Sequence, residues 1–318
     1  METATAPVPA GENKPPAGSL AGRLFNVFAA PGDVFDEVKS AKTQTTTWLV
    51  PVLLSCLIGI IYSVVVFSQD SIVHSIREAQ ETAVQKQVAA GKITQQQADQ
   101  AASFMEIFSS PTVLKIIGSI GAVIGGFAYV FLIALVLFLI GAKPSEAKRW
   151  PRRIGAALAG CAAGLMAFQL TGGQSLVSRL LVALLTATAI LVVAIAIALL
   201  IDRIAPFGGS FSYMKAVEIA ALAGMVNVLG GLIAMLLAVV MGNMAMTPGP
   251  VLLVHDFNPA NKLHVLLSQV NLMMLWYLAV LAVALSKLSG VSFGKAATWL
   301  FAIWVVLVLV STLPGWGR

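Results

Sequence analysis

Trp48 to Phe67, WLVPVLLSCLIGIIYSVVVF, is a run of 20 residues without a charge. That is about the length a helix needs to cross the hydrocarbon of a bilayer. Ahead of it, Arg23 to Val38 reads RLFNVFAAPGDVFDEV, an aromatic-studded, half-polar stretch suited to lying along a membrane surface. The two together predict a surface helix leading into a multi-span bundle. Composition agrees. The 318 residues are 58% hydrophobic and only 11% charged, with a mean hydropathy of +0.89, whereas soluble domains carry about 25% charged residues. No signal-peptide core follows Met1, and residues 1–18 read as a disordered tail. The first apolar run is therefore expected to act as an uncleaved signal anchor. Cys56 and Cys161 lie in apolar runs and read as small core residues, not a disulfide.

Requiring about 20 apolar residues per crossing gives seven candidate spans. They are Trp48–Phe67, Val113–Ile140, Ile154–Leu170, Leu180–Ile201, Ala216–Met241, Leu263–Leu285 and Ala296–Leu313. The third is short and rich in Gly and Ala, and a six-span reading drops it. Charge chooses between the two. Lys14, Arg23, Lys39 and Lys42 precede the first span, and Lys143, Lys148, Arg149, Arg152 and Arg153 follow the second. Cytoplasmic loops retain Lys and Arg, and seven spans keep both clusters inside, together with Arg203, Lys215, Lys287 and Lys295. The expectation is a cytoplasmic N-terminus and an extracytoplasmic C-terminus. The fold class is all-α, a polytopic membrane helical bundle. Residues 19–46 form cytosolic interfacial helices, 47–318 the membrane domain, and 70–111 an extracytoplasmic helical hairpin.

That hairpin is legible in outline. Ile72, Val73, Ile76, Ala83, Val84 and Val88 recur at helical spacing, Gly91 suits a helix stop, and Thr94 suits the cap of a second helix. An echo between Gly209-Ser210-Phe211 and Ser292-Phe293-Gly294, each just before a Lys-Ala pair, suggests that Ser210 and Ser292 cap the fifth and seventh spans. Gly121 with Gly125, and Gly160 with Gly164, form Gly-x-x-x-Gly stripes of the type that brings membrane helices together, within one chain or between two copies.

Chemistry is sparse. Ionisable residues at bilayer depth default to function, and the deepest acid is Glu218, for which Lys215 is a partner three residues away. Asn227, Gln269 and Asn271 are the other candidate intramembrane polar groups, with interhelical hydrogen bonding as their ordinary role. His74, His255 and His264 show no metal-ligand spacing, and no nucleophile elbow or phosphate loop occurs. No catalytic residue, cofactor or metal is expected. The net charge of +6 follows the loops, so nucleic acid is not implied. In the segment before the first span, Leu20, Leu24 and Phe28 share one helical face, and Pro31-Gly32 breaks the helix. Asp33 caps a second helix that carries Phe35. Leu24, Phe25, Phe28, Asp33, Phe35, Asp36 and Glu37 are the candidate anchoring or docking residues, with Phe25 and Phe28 toward lipid and the acids toward a cytosolic partner.

The stretch from Arg23 to Val38, Trp48-Leu49-Val50-Pro51, Gly91-Lys92-Ile93-Thr94, Leu275-Trp276-Tyr277-Leu278 and Gly290 to Ala296 resemble bacterial members of the Yip family. Those proteins share a membrane domain with eukaryotic Rab-GTPase-interacting proteins. The resemblance implies a helical bundle with a five-span core, a cytosolic N-terminus, no catalytic residues, and a role as an organiser or adaptor recruiting a protein partner. It also implies residence in a bacterial inner membrane. The excess over five spans lies between Val113 and Ile201. A small-molecule or ion transporter or channel is the alternative, with Gly224, Gly230 and Gly231 as the glycines of a broken span.

Overall fold

The computed structural model describes residues 18–142, 207–255, 257–258 and 261–312. The expected spans Ile154–Leu170 and Leu180–Ile201, Cys161 and the Gly160/Gly164 stripe lie outside the described residues, as does nearly all of the tail. Eleven α-helices follow in order: α1 Leu20–Ala29, α2 Pro31–Ser40, α3 Thr45–Val66, α4 Asp70–Ala89, α5 Gln95–Phe108, α6 Pro111–Gly141, α7 Tyr213–Ala223, α8 Met225–Met241, α9 Lys262–Gln269, α10 Leu272–Ser289 and α11 Phe293–Thr312. A single 3-10 turn covers Pro250–Leu253. The protein is a polytopic helical bundle. Among the described residues, four helical stretches are long and apolar enough to cross a membrane: α3, α6, the α7–α8 pair and α10. Within α11, Phe293–Leu309 adds a shorter apolar helix.

Most of the core lies between α3, α6, α7 and α10. Ile219, Leu222, Leu137, Ile140, Tyr277, Leu281 and Leu285 are fully buried there. Outward faces carry Leu57, Ile61, Ile120, Ile124, Leu236, Val240 and Leu307, all exposed. Apolar surface on this scale is tolerable only against lipid or a partner.

Close approach between helices uses small residues, as expected where lipid removes the usual hydrophobic drive. The residues differ from those of the sequence reading. A Cβ at Gly59 would stand 2.6 Å from that of Ala122, one at Gly118 would meet Ser63 Oγ at 2.7 Å, and one at Gly126 would meet Cys56 Sγ at 3.0 Å. The α3–α6 seam therefore runs along Gly118, Ala122 and Gly126. Gly121 and Gly125 have no described atom within 4 Å of a Cβ position and face away from it.

Helix ends follow local chemistry. Ser110 Oγ accepts from the Val113 N–H at the start of α6, and Asn271 Oδ1 from the Met274 N–H at the start of α10. Gly91, at φ +66, closes α4, and Thr94 Oγ1 accepts from the Gln97 N–H to open α5. Ser212, not Ser210, caps α7, while Ser292 caps α11 as expected. The largest departure is the sixth span. The sequence reads as one run over Leu263–Leu285, but Val270 and Asn271 are extended and split it into α9 and α10. The Leu272 N–H donates to Pro248 O at 2.9 Å instead of continuing the helix backward.

The starts of α3, α7 and α11 and the ends of α6 and α10 gather at one end of the bundle, which also holds α1 and α2. The α4–α5 hairpin and α9 occupy the other. At the first end the Gly209 N–H donates to Gly141 O at 2.8 Å, and Ala142 bridges Gly209 in parallel.

Candidate functional sites at the two ends of the bundle

The first site is a clamp on the amino-terminal helices. α2 packs along α10 and α7, and α1 touches α3, α7 and α8. Phe35, Val34, Val38 and Val27 are buried in the bundle core. The helix pair is thus a wedge packed against the spans.

Ionic groups fasten the base of this wedge. Lys215 Nζ pairs with Glu218 Oε2 at 2.6 Å, and both side chains are buried. Glu218, 1% exposed, also accepts the Gln44 N–H, while Lys215 Nζ donates to Ala41 O at 3.0 Å. A single ion pair on α7 therefore holds both ends of the turn joining α2 to α3. Arg23 supplies the second fastening. Its Nε and Nη2 donate to Glu37 Oε1 at 3.0 and 2.8 Å, and its Nη1 donates to Thr47 Oγ1 at 3.3 Å. A third pair joins Asp36 to Lys287, and Lys39 Nζ donates to the Lys287 carbonyl at 2.6 Å. The inward face of α1 holds Arg23 and Val27, flanked by Leu24 and Phe28.

Of the aromatic candidates, Phe28 packs edge-on to Trp276 with centroids 5.8 Å apart, whereas Phe25 is 69% exposed. Phe35 is fully buried, so it is a core residue and not an outward anchor. Asp36 and Glu37 are both ion-paired. Phe25 and Asp33 remain on the outer surface, and Asp33 lies inside the first turn of α2, whose N-cap is Ala30, so it does not cap that helix as expected.

The second site sits toward the opposite end, at the break before α10. A cavity of about 210 Å³ is lined by Asn227, Gly230, Gly231 and Ala234 of α8, Thr247 and Pro248 of the connecting loop, and Asn271, Met273 and Met274 at the start of α10. Positions 227, 230, 231 and 234 form one helical face. Its two glycines and Ala234 leave the space. Gly230 faces Met273, and Gly231 faces Ile58 of α3. The structure thus brings Asn227 and Asn271 together, places Gln269 exposed at the end of α9, and leaves Glu218 away from both, against Lys215 and Gln44.

A further, wider cleft of about 490 Å³ lies between α4 and α5 and includes Arg77, Glu81, Asp99 and Glu106. Among the described residues no group of three His, Cys, Asp or Glu side chains could hold a metal ion. His264 Nδ1 accepts the Asn258 N–H at 3.1 Å. Arg23 as a buried anchor, Thr47, Thr247 and Trp276 were missed in the sequence. For Arg23 a signal exists, a lone cation among Leu24, Val27 and Phe28 with an acid on the following helix.

Compared with protein-family models, with curated proteins and with solved structures, the chain matches none.

Proposed function

We propose that this integral membrane protein is a non-enzymatic organiser or adaptor of the Yip type, whose amino-terminal wedge is its recruiting element. One observation carries the reading. The wedge is fixed to the spans by the Arg23–Thr47 hydrogen bond, by the Asp36–Lys287 pair and by the grip of Lys215 and Glu218 on Ala41 and Gln44, yet Phe25 is 69% exposed and Asp33 is exposed as well. A rigidly held, outward-facing aromatic and acid make a defined surface, Phe25 for lipid and Asp33 for a cytosolic protein. The set of apolar helices, α3, α6, α7–α8, α10 and α11, is also compatible with a five-span core. In this reading the wedge lies on the cytoplasmic side of a bacterial inner membrane and the α4–α5 hairpin on the other. The face at Gly121 and Gly125, which no described residue covers, is where a second copy would pack.

Photo-crosslinking residues placed at 25 and 33 in the full chain test this reading. Position 25 should label lipid, and position 33 should give one discrete protein adduct that Asp36→Lys with Glu37→Lys weakens. Lipid adducts alone at both positions would reject the recruiting role. For orientation, Gln87→Cys should react with an impermeant thiol reagent in intact cells and Ser40→Cys only after permeabilisation.

Transport of a small molecule or ion is a second reading, favoured by the break at Val270-Asn271. Discontinuous helices lining a cavity at membrane depth are the form that transporter sites take.

A further inference from the structure

We infer that the cavity before α10 is a binding site for a small uncharged molecule carrying a carbonyl or similar hydrogen-bond acceptor. The inference needs neither recruitment nor transport to hold, because it concerns occupancy alone.

Depth comes first. Gly230 faces Met273, whereas α8 continues to Met241, about 16 Å further along its axis. Ala238 of α8 is still buried against Val66 of α3. The cavity is therefore sunk below the end of the apolar zone, with the 242–271 connection descending to reach it. Irregular backbone is tolerated at such depth only when it is buried in protein or lines a cavity.

Polarity comes next. The first turn of α10 has donors with no partner of its own helix. The Leu272 N–H goes to Pro248 O and the Met274 N–H to Asn271 Oδ1, which leaves the Met273 N–H unspent among the described residues. Asn227 adds an amide from the facing helix. One turn further along α10, the buried Tyr277 hydroxyl is engaged with Tyr129, which also interacts with Asn227, so it adds no free donor to the cavity. The unspent Met273 N–H and the Asn227 amide are the polar groups on offer, and an acceptor on the guest would take the backbone N–H.

Charge is excluded by the lining. No ionisable side chain contributes to it, and the Lys215–Glu218 pair belongs to the opposite end. A charged guest would lose its hydration with no counter-charge to replace it, whereas an amide or ketone would find its hydrogen bonds. The methionines supply a soft, adaptable apolar wall for the remainder of a molecule of a few heavy atoms.

Three probes of one carbon skeleton separate the possibilities: butyramide, butyrate and butylammonium, each radiolabelled, with the full chain in lipid nanodiscs and binding read by scintillation proximity. Butyramide should bind saturably, and the two charged probes about tenfold or more weaker. Asn227→Leu should weaken butyramide about tenfold, the equivalent of one lost neutral hydrogen bond. Ala234→Leu, which fills the space, should abolish binding. Lys92→Ala, in the exposed turn between α4 and α5, should change nothing. Absence of saturable butyramide binding would mean a cavity that holds only water, and would overturn the inference. Equal binding by Ala234→Leu and Asn227→Leu would mean partition into lipid, and butyrate or butylammonium matching butyramide would overturn the uncharged class. If Ala234→Leu fails to fold, Asn227→Leu decides alone.

Discussion

The two ends of the bundle solve opposite problems. At the amino-terminal end, polar groups are buried and nearly every one is matched: Lys215 with Glu218 and Ala41 O, Arg23 with Glu37 and Thr47. At the far end, helices stop short, a span is broken, and cavities of about 210 and 490 Å³ remain between α8 and α10 and between α4 and α5. Interiors are ordinarily close-packed, so the contrast separates a region that fixes geometry from one that leaves room. Lost stability should therefore concentrate at the first end.

The sharpest way to break that comparison is Glu218→Leu, which strands a buried lysine and the Gln44 N–H. Removal of one partner from a buried pair costs about 3–5 kcal/mol, read as a lowered thermal midpoint and protease cleavage in residues 20–44. Adding Lys215→Met should restore most of the loss, because replacing both charges by apolar groups is often neutral. A Glu218→Leu variant as stable as the parent would show that the clamp contributes nothing.

A smaller effect is expected from Phe28→Ala. Phe28 is partly buried against Trp276, and its truncation should cost about 2 kcal/mol, with the wedge more accessible to protease and the spans intact. Phe25→Ala, at an exposed position, should stay within about 0.5 kcal/mol. Equal effects of the two would contradict the orientation of α1.

At the far end Asn271→Ala should cost about 1 kcal/mol, the usual worth of an N-cap, with the thermal midpoint falling slightly. A comparably small loss is expected at Asp36→Ala. Its pair with Lys287 is solvent-accessible, and such pairs contribute about 0–1 kcal/mol, less still as salt is raised.

Most of the bundle was legible because long apolar runs have few alternatives. α3 and α6 fall within a few residues of the expected spans, and α4 and α5 follow from Gly91 and Thr94. What escaped was governed by tertiary partners. Leu263 to Leu285 carries no Pro or Gly to announce a break; the break arises because Asn271 caps α10 and Pro248 O takes the Leu272 N–H. Gly121 and Gly125 fit the motif, but the seam lies one stripe over, since spacing names a stripe without saying which neighbour it meets. Lys215 with Glu218 was readable as a pair from spacing alone. That the pair grips Ala41 and Gln44 was not, because those partners are backbone groups far away in sequence.

The bond from Gly209 to Gly141 returns the chain after residue 206 to the point where it left at residue 142. The packing of α3 and α6 on α7, α8 and α10 holds the two flanking pieces together. The gene is accordingly divisible at this point. Residues 1–142 and 207–318, expressed as separate polypeptides, should find one another in the membrane and co-purify, with Lys215 and Glu218 of one fragment gripping Ala41 and Gln44 of the other as a ready-made cohesive end.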